Sequence, residues 1–185
     1  MTARDDQRFL LLYEEHFNRI YAYCRRRVSE SAVDDLVADV FMTVWRRIDG
    51  APVGEASLGW LYRIAYLVAS NHWRGTSRRR RLNTKLEGLR ASVDLPVVDH
   101  VVVRQEVRDA LGVLEELHPR DREIIKLSMW EGMSPDEIAA VLDVTPETAR
   151  QRLHRARKRL TEKYKKEYSS ESDPPLLRKE VSGEH

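Results

Sequence analysis

Along almost the whole chain, apolar residues recur every three or four positions, and the every-second-residue alternation of a half-buried strand is nearly absent. This confines the chain to packed helices, and each break in the rhythm marks a helix end. A first helix is expected over residues 9–28, with Leu10, Tyr13, Phe17, Ile20, Tyr21, Cys24 and Val28 as its apolar stripe. A second is expected over 32–48, capped by Ser31 with Asp34 at the third helical position. Its stripe is Val33, Leu36, Val37, Val40, Phe41, Val44 and Ile48. Asp49-Gly50-Ala51-Pro52-Val53-Gly54 interrupts the pattern. A third helix over 58–73 should stop at Gly75-Thr76-Ser77, ahead of a run of arginines. Residues 83–101 lose the period and contain Gly88, Ser92 and Pro96, as a linker does; the β-branched stretch 97–103 also reads as a short strand.

Helical rhythm returns over 103–117, with Val107, Ala110, Leu111, Leu114 and Leu117 on one face. His118-Pro119 opens a further helix that Gly132 stops. Ser134-Pro135-Asp136-Glu137 is a strong start signal: a capping hydroxyl, a proline where no N–H is needed, and a glutamate able to reach back. That helix ends near Leu142, Asp143-Val144 makes a turn, and Thr145-Pro146 opens the next helix in the same way. Two capped helices about three residues apart are the sequence form of a helix-turn-helix. The expected fold is all-α: two small helical domains, residues 1–82 and 103–168, joined by a flexible linker over 83–102. The polar tail over 169–185 contains Pro174-Pro175 and is expected to be disordered.

A net charge of +2 hides a strong segregation of sign within a chain that is 34% charged. Positive charge gathers at 74–81 and 150–166, negative charge around Asp34, Asp35 and Asp39. Such segregation is either two solvated faces or two surfaces for partners of opposite polarity. The single cysteine, Cys24, rules out an internal disulfide and falls on an apolar stripe. The histidines are scattered without metal-ligand spacing, and no phosphate-binding glycine loop or nucleophile elbow appears, so no catalysis and no cofactor are expected. The charged N-terminus lacks a signal-peptide core and no apolar run is long enough to span a membrane, so a cytoplasmic protein without membrane insertion is expected.

On a wheel of about 100° per residue, Ala149, Leu153, Ala156 and Leu160 share one sector of roughly 60° and would pack inward. The opposite sector carries Gln151, His154, Arg155 and Lys158, flanked by Arg150 and Arg152. Arginine pairs with guanine edges and glutamine with adenine, so the amino-terminal part of this helix suits a major groove. Arg150, Gln151, His154 and Arg155 are the candidates for base contact; Lys158, Arg159 and Lys163 are those for phosphate. On the third helix, Leu61, Ile64, Ala65 and Val68 face inward, while Arg63, Tyr66, Ser70 and Arg74 face out, bordered by Tyr62 and Trp73. Cations among aromatics suit stacked single-stranded bases, although Trp60, Tyr66 and Trp73 read equally well as core. Asp34, Asp35 and Asp39 serve either solubility or docking to a basic protein surface.

The stretch AVDDLVADVFMTVWRRI followed by LGWLYRIAY resembles domain 2 of bacterial RNA polymerase sigma factors, and LEELHPRDREIIKLSMWEGMSPDEIAAVLDVTPETARQRLHRARKRL resembles their domain 4. The likeness covers residues 9–81 and 103–166, in the family's order, and the lack of other sigma domains matches the extracytoplasmic-function subgroup of the sigma-70 family. The resemblance implies a chain that binds core RNA polymerase and directs promoter-specific transcription initiation. It implies that Asp34, Asp35 and Asp39, with Trp45 and Arg46 nearby, dock on the clamp helices of the largest subunit, with the flap region as a second polymerase contact. It assigns the minus-10 element to the loop 49–59 and the next helix, through Trp60, Tyr62, Arg63, Tyr66, Ser70, Trp73 and Arg74. It assigns the minus-35 element to Arg150, Gln151, Arg152, His154, Arg155, Lys158 and Arg159. An anti-sigma factor is a further partner that the family implies. The family commonly has Asn where this chain has Leu67, so stacking by Tyr66 is expected in place of a polar contact. The alternative is a stand-alone helix-turn-helix repressor or activator, which leaves the first half without a job and ordinarily needs a dimer.

Overall fold

The computed structural model of the protein describes residues 3–54, 56–84, 105–168 and 172–177, with only the helical course of 75–84. The helices are α1 (Ala3–Arg25), α2 (Val33–Arg46), α3 (Ala56–Thr84), α4 (Gln105–Glu116), α5 (Pro119–Met129), α6 (Pro135–Leu142) and α7 (Pro146–Tyr168). Short 3-10 turns lie at Glu30–Ala32, Ile48–Gly50 and Pro175–Leu177. No strand occurs among the described residues, and the stretch 97–103 lies outside them. The chain divides into two compact units, Met1–Val98 and Asp99–His185.

In the first unit the whole stripe expected of the second helix is buried: Val33 to Val44 on α2, which ends at Arg46 and not at 48, and Ile48 in the 3-10 turn that follows. Ser31 does not cap it. Ser31 lies in the preceding 3-10 turn, whose own bonds, Ala32 N–H to the Ser29 carbonyl and Val33 N–H to the Glu30 carbonyl, occupy the first donors instead. Helix α1 starts at Ala3, well before residue 9, with Asp5 and Asp6 at its positive end. Its stripe holds at Ile20 and Cys24 but not at Leu10 and Tyr13, which are exposed, while Leu12, His16 and Tyr23 are buried; the helix ends at Arg25 and not at 28, with Val28 buried just beyond it. The helix touches both α2 and α3, so its inward side is wider than one stripe and rotates along its length. Tyr13 and Phe17 turn their rings toward Phe41, at centroid distances of 4.7 and 5.9 Å.

Helix α3 does not stop at Gly75-Thr76-Ser77; it continues to Thr84. A glycine in a helix interior costs about 1 kcal/mol relative to alanine, too little to end a helix flanked by arginines, which are good helix formers. The arginine run is therefore a continuation of α3 rather than a loop beyond it.

The second unit packs α4 to α7 around Leu114, Ile124, Ile125, Leu127, Ile138 and Leu160, all buried. Gly132, at φ +66°, follows α5, and Asp143, at φ 59°, turns the chain between α6 and α7. The expected start of α6 is realised in both directions: Ser134 Oγ accepts from Glu137 N–H at 3.3 Å, and Glu137 Oε2 accepts from Ser134 N–H at 2.7 Å. The Ser134 hydroxyl, which also donates to Glu137 Oε2 at 2.7 Å, and next the Ser134 N–H hold the Glu137 carboxyl below its usual range. Ser134→Ala is expected to lower the unfolding free energy by about 1 kcal/mol. A urea midpoint identical to that of the parent chain would show that the cap is dispensable. Within the tail, Pro174 is buried, Pro175–Leu177 form a turn against α4, and Lys165 pairs with Asp173 at 3.1 Å. Residues 172–177, expected to be disordered with the rest of 169–185, are thus held by an apolar Pro-Pro-Leu-Leu stretch that meets α4, while 169–171 and 178–185 lie outside the described residues.

Candidate nucleic-acid interface

Helix α7 is capped by Thr145, whose Oγ1 accepts from Thr148 N–H at 3.2 Å. The preceding turn lets α6 and α7 pack closely, and α7 also lies against α5. Ala149, Ala156 and Leu160 are fully buried and Leu153 nearly so, as the wheel requires. The small alanines bring the α7 backbone close to its support. Arg150, Gln151, Arg152, His154, Arg155, Lys158 and Arg159 are all exposed.

These exposed residues divide by what they already hold. Arg150 bridges Asp136 at 3.1 Å and Glu147 at 3.3 Å, and Gln151 donates to Glu147 at 2.9 Å. Lys158 stands 3.8 Å from Glu162. Arg157 donates to Ser128 Oγ at 2.9 Å, Arg159 to Asp121 at 2.5 Å, and Lys163 pairs with Glu116. One edge of α7 is thereby clasped to α4 and α5. The side chains of Arg152, His154 and Arg155 make no hydrogen bond or ion pair among the described residues, so they reach outward uncommitted. The paired cations remain solvent-exposed, and such pairs contribute about 0–1 kcal/mol, little enough for a phosphate to displace the carboxylate.

The residues expected on the outer face of α3 separate more sharply. Tyr62 is 4% exposed and packs its ring 5.5 Å from that of Tyr23, so it belongs to the core and not to a stacking surface. Trp73 is half-buried and donates Nε1–H to the Arg27 carbonyl at 3.1 Å, tying α3 to the end of α1. Trp60 packs beside Leu12, Ile48 and Ala51 and keeps part of its ring exposed. Arg63, Tyr66 and Ser70 are half-buried, and Arg74 is exposed, with Asn71 Oδ1 at 2.7 Å. Leu67 is 38% exposed, between Arg63 and Arg74 along the same side. What remains for a nucleic acid is a narrow face: Arg63, Tyr66, Leu67, Ser70 and Arg74, with the edges of two tryptophans.

A second kind of surface lies on α1 and α2. Asp34, Asp35 and Asp39 are exposed and have no ion pair among the described residues, so their charge is uncompensated there. Beside them runs a groove of about 570 Å³, lined by Asp6, Phe9, Leu10, Ala38, Phe41, Met42, Trp45 and Arg46. Its walls are apolar: Leu10 is 55% and Met42 50% exposed, and Phe9 meets Trp45 edge-on at 4.9 Å. Trp45 and Arg46 were expected here; Phe9, Leu10, Ala38 and Met42 were not. The signal available in the sequence was the surplus of apolar residues on α1 and Met42 lying off the α2 stripe. An unpaired acidic strip beside an apolar groove fits a partner helix with one apolar and one basic side.

Residues 12–79 match the model of sigma-70 region 2. Residues 108–160 match that of sigma-70 region 4. The chain is 28% identical over 169 residues to the ECF RNA polymerase sigma-E factor of Escherichia coli, covering 86% of this chain and 87% of that protein. It is 32% identical over 141 residues to the RNA polymerase sigma factor NccH of Alcaligenes xylosoxydans xylosoxydans, covering 72% and 74%. Among solved structures it is similar to the sigma factor RpoE of Bartonella quintana in complex with the anti-sigma factor NepR. That match has a TM-score of 0.62 and 25% identity over 89% of this chain and 98% of that one. It is also similar to CnrH in complex with the cytosolic domain of CnrY, with a TM-score of 0.57 and 25% identity over 83% and 85%. With both sigma regions present in order and homologues along most of its length, this chain belongs to the extracytoplasmic-function subgroup of sigma-70 RNA polymerase sigma factors.

Proposed function

We propose that the first unit acts as sigma domain 2 and the second as sigma domain 4 in a promoter-directing adaptor for core RNA polymerase. Domain 2 docks by the α1–α2 groove with its rim of Asp34, Asp35 and Asp39 and with Trp45 and Arg46, against the clamp helices of the largest subunit. It holds the separated minus-10 strand along α3, with Arg63, Tyr66, Ser70 and Arg74 facing the strand and Trp60 and Trp73 contributing ring edges. Domain 4 lays the amino-terminal half of α7 into the major groove of the minus-35 element. The observation that carries this reading is a helix buried on one side by Ala149, Leu153, Ala156 and Leu160, with Arg152, His154 and Arg155 uncommitted on the other. That geometry is what the second helix of a helix-turn-helix requires.

The chain supplies position and strand separation, and the polymerase supplies the chemistry. It works in the cytoplasm beside that enzyme; no helix among the described residues is long and apolar enough to cross a membrane. An anti-sigma factor belongs among its partners, by analogy with NepR on RpoE and the CnrY domain on CnrH. A stand-alone repressor or activator would use the region 4 match alone and leave residues 12–79 unexplained.

Transcription in vitro with core polymerase on a promoter library tests the reading: the chain should redirect initiation to a defined set of start sites. In the same assay Arg155→Ala is expected to cost about 1–3 kcal/mol of discrimination at one minus-35 position. Uniform weakening on all sequences would make Arg155 a phosphate contact instead.

A further inference from the structure

Domain 2 contains a buried polar contact that neither the groove nor the DNA-facing residues use. His16 on α1 and Ser57 in the first turn of α3 are both buried, and His16 Nε2 lies 3.0 Å from Ser57 Oγ, with either atom able to donate. The Glu15 carboxylate, on the exposed side of α1, stands 3.7 Å from the same nitrogen. Ser57 N–H in turn bonds the Gly54 carbonyl at 2.9 Å, where a φ of +68° bends the chain. Nearer the start of α1, the Arg8 guanidinium donates to the Ala51 carbonyl. Between these contacts Leu12 packs with Ile48 and Ala51, with Phe9 and Trp60 against them.

Arg8, Leu12 and His16 are each four residues apart and so form one ridge of α1. The ridge grips the segment between α2 and α3 at both ends, at Ala51 and at Ser57. The tip between them stands free, with Val53 80% exposed. A segment fixed in place before its ligand arrives loses less conformational freedom on binding.

We propose that this ridge, with His16 as its buried polar anchor, is a positioning device that holds the loop 51–54 and the first turn of α3 ready to receive an unpaired promoter base. The proposal rests on the reading of domain 2 as the minus-10 unit. His16 touches no DNA; it acts through Ser57. The same contact in a purely structural role would affect every activity of domain 2 alike, and that difference is measurable.

The test uses holoenzyme reconstituted from core polymerase and the full chain carrying His16→Ala, Ser57→Ala, both, or His16→Gln. The probes are a single-stranded oligonucleotide with the minus-10 sequence of a promoter the parent holoenzyme transcribes, a minus-35 duplex, and core enzyme itself. Each single alanine variant is expected to weaken oligonucleotide binding about tenfold, and the double variant no further, because both remove one shared contact. His16→Gln should recover most of the loss, since its amide can still bond the Ser57 hydroxyl. Affinities for core enzyme and for the duplex should stay within about twofold. Full oligonucleotide affinity in both single variants, additive losses in the double, or an equal loss of core binding would each overturn the proposal. A parent holoenzyme that fails to prefer the minus-10 oligonucleotide over a scrambled one would overturn the domain 2 reading itself, a result distinct from the others.

Discussion

Changing Leu10 and Met42 together to aspartate is expected to lower the affinity of the chain for core polymerase by about a hundredfold or more. Both side chains are at least half exposed, Leu10 at 55% and Met42 at 50%, so the folded chain loses little by the change. In the docked state they would be central and dry, where apolar anchors are worth roughly 2 kcal/mol or more each and a buried unpaired carboxylate adds a desolvation penalty. The double variant should therefore melt at the parent temperature and fail to assemble. Reversing Asp35 and Asp39 acts differently: as rim charges they steer encounter, so their loss should appear mainly in association rate and salt dependence. Equal core affinity for the parent and the Leu10, Met42 variant, measured by competition, would move the docking surface off the groove.

The contrast between those two sets of residues shows what the sequence discloses and what it conceals. Asp34, Asp35 and Asp39 are visible as a cluster on one side of one helix, because charge on a helical wheel is a local property. The groove beside them needs α1 and α2 to be neighbours at a particular rotation, and no local pattern states that. The same divide runs through the rest of the fold. The α2 stripe, the Ser134–Glu137 box and the buried alanines of α7 all came through, since each depends on residues within two turns of one another. Ser31 failed as a cap because the backbone of an unforeseen 3-10 turn had already met the same need. Helix α3 ran past Gly75 because one poor residue among good helix formers is a cost and not a stop signal. Tyr62 looked like a border residue of an outer face, but Tyr23, from a helix far away in sequence, covers it. His16 gave no sign of its role, because Ser57 is 41 residues away. On α7 the wheel separated the buried side from the exposed one but could not separate cations held by Asp121, Asp136 or Glu116 from Arg152 and Arg155, which pair with no described side chain.

Glu115 joins α4 to α5, and its removal should be the most damaging single change in domain 4. Its carboxylate receives Lys126 Nζ at 2.6 Å and the Arg122 guanidinium, while Arg122 also donates to the Glu115 carbonyl at 2.9 Å. The Glu115 side chain is 14% exposed and that of Lys126 only 5%, with the ammonium 5.3 Å above the Trp130 ring. Glu115→Ala removes the carboxylate that stands 2.6 Å from a buried ammonium, and breaking a buried pair from one side costs about 3–5 kcal/mol. Glu115→Gln keeps the shape and part of the hydrogen bonding, so it should cost distinctly less. The pH dependence gives an independent check. Burial alone would raise the carboxyl pKa, but the charge and hydrogen bond of Lys126, followed by those of Arg122, outweigh it and hold the pKa below the usual glutamate value of 4.5. A folded-state pKa below the unfolded one means the contribution is complete above the unfolded value and disappears as the pH falls through the folded one. Urea unfolding of the parent chain should therefore show domain 4 losing stability on acidification below about pH 5, with a visibly flatter profile for Glu115→Gln. Parallel profiles for the two chains would place the acid sensitivity on other carboxylates and reduce Glu115 to a packing residue.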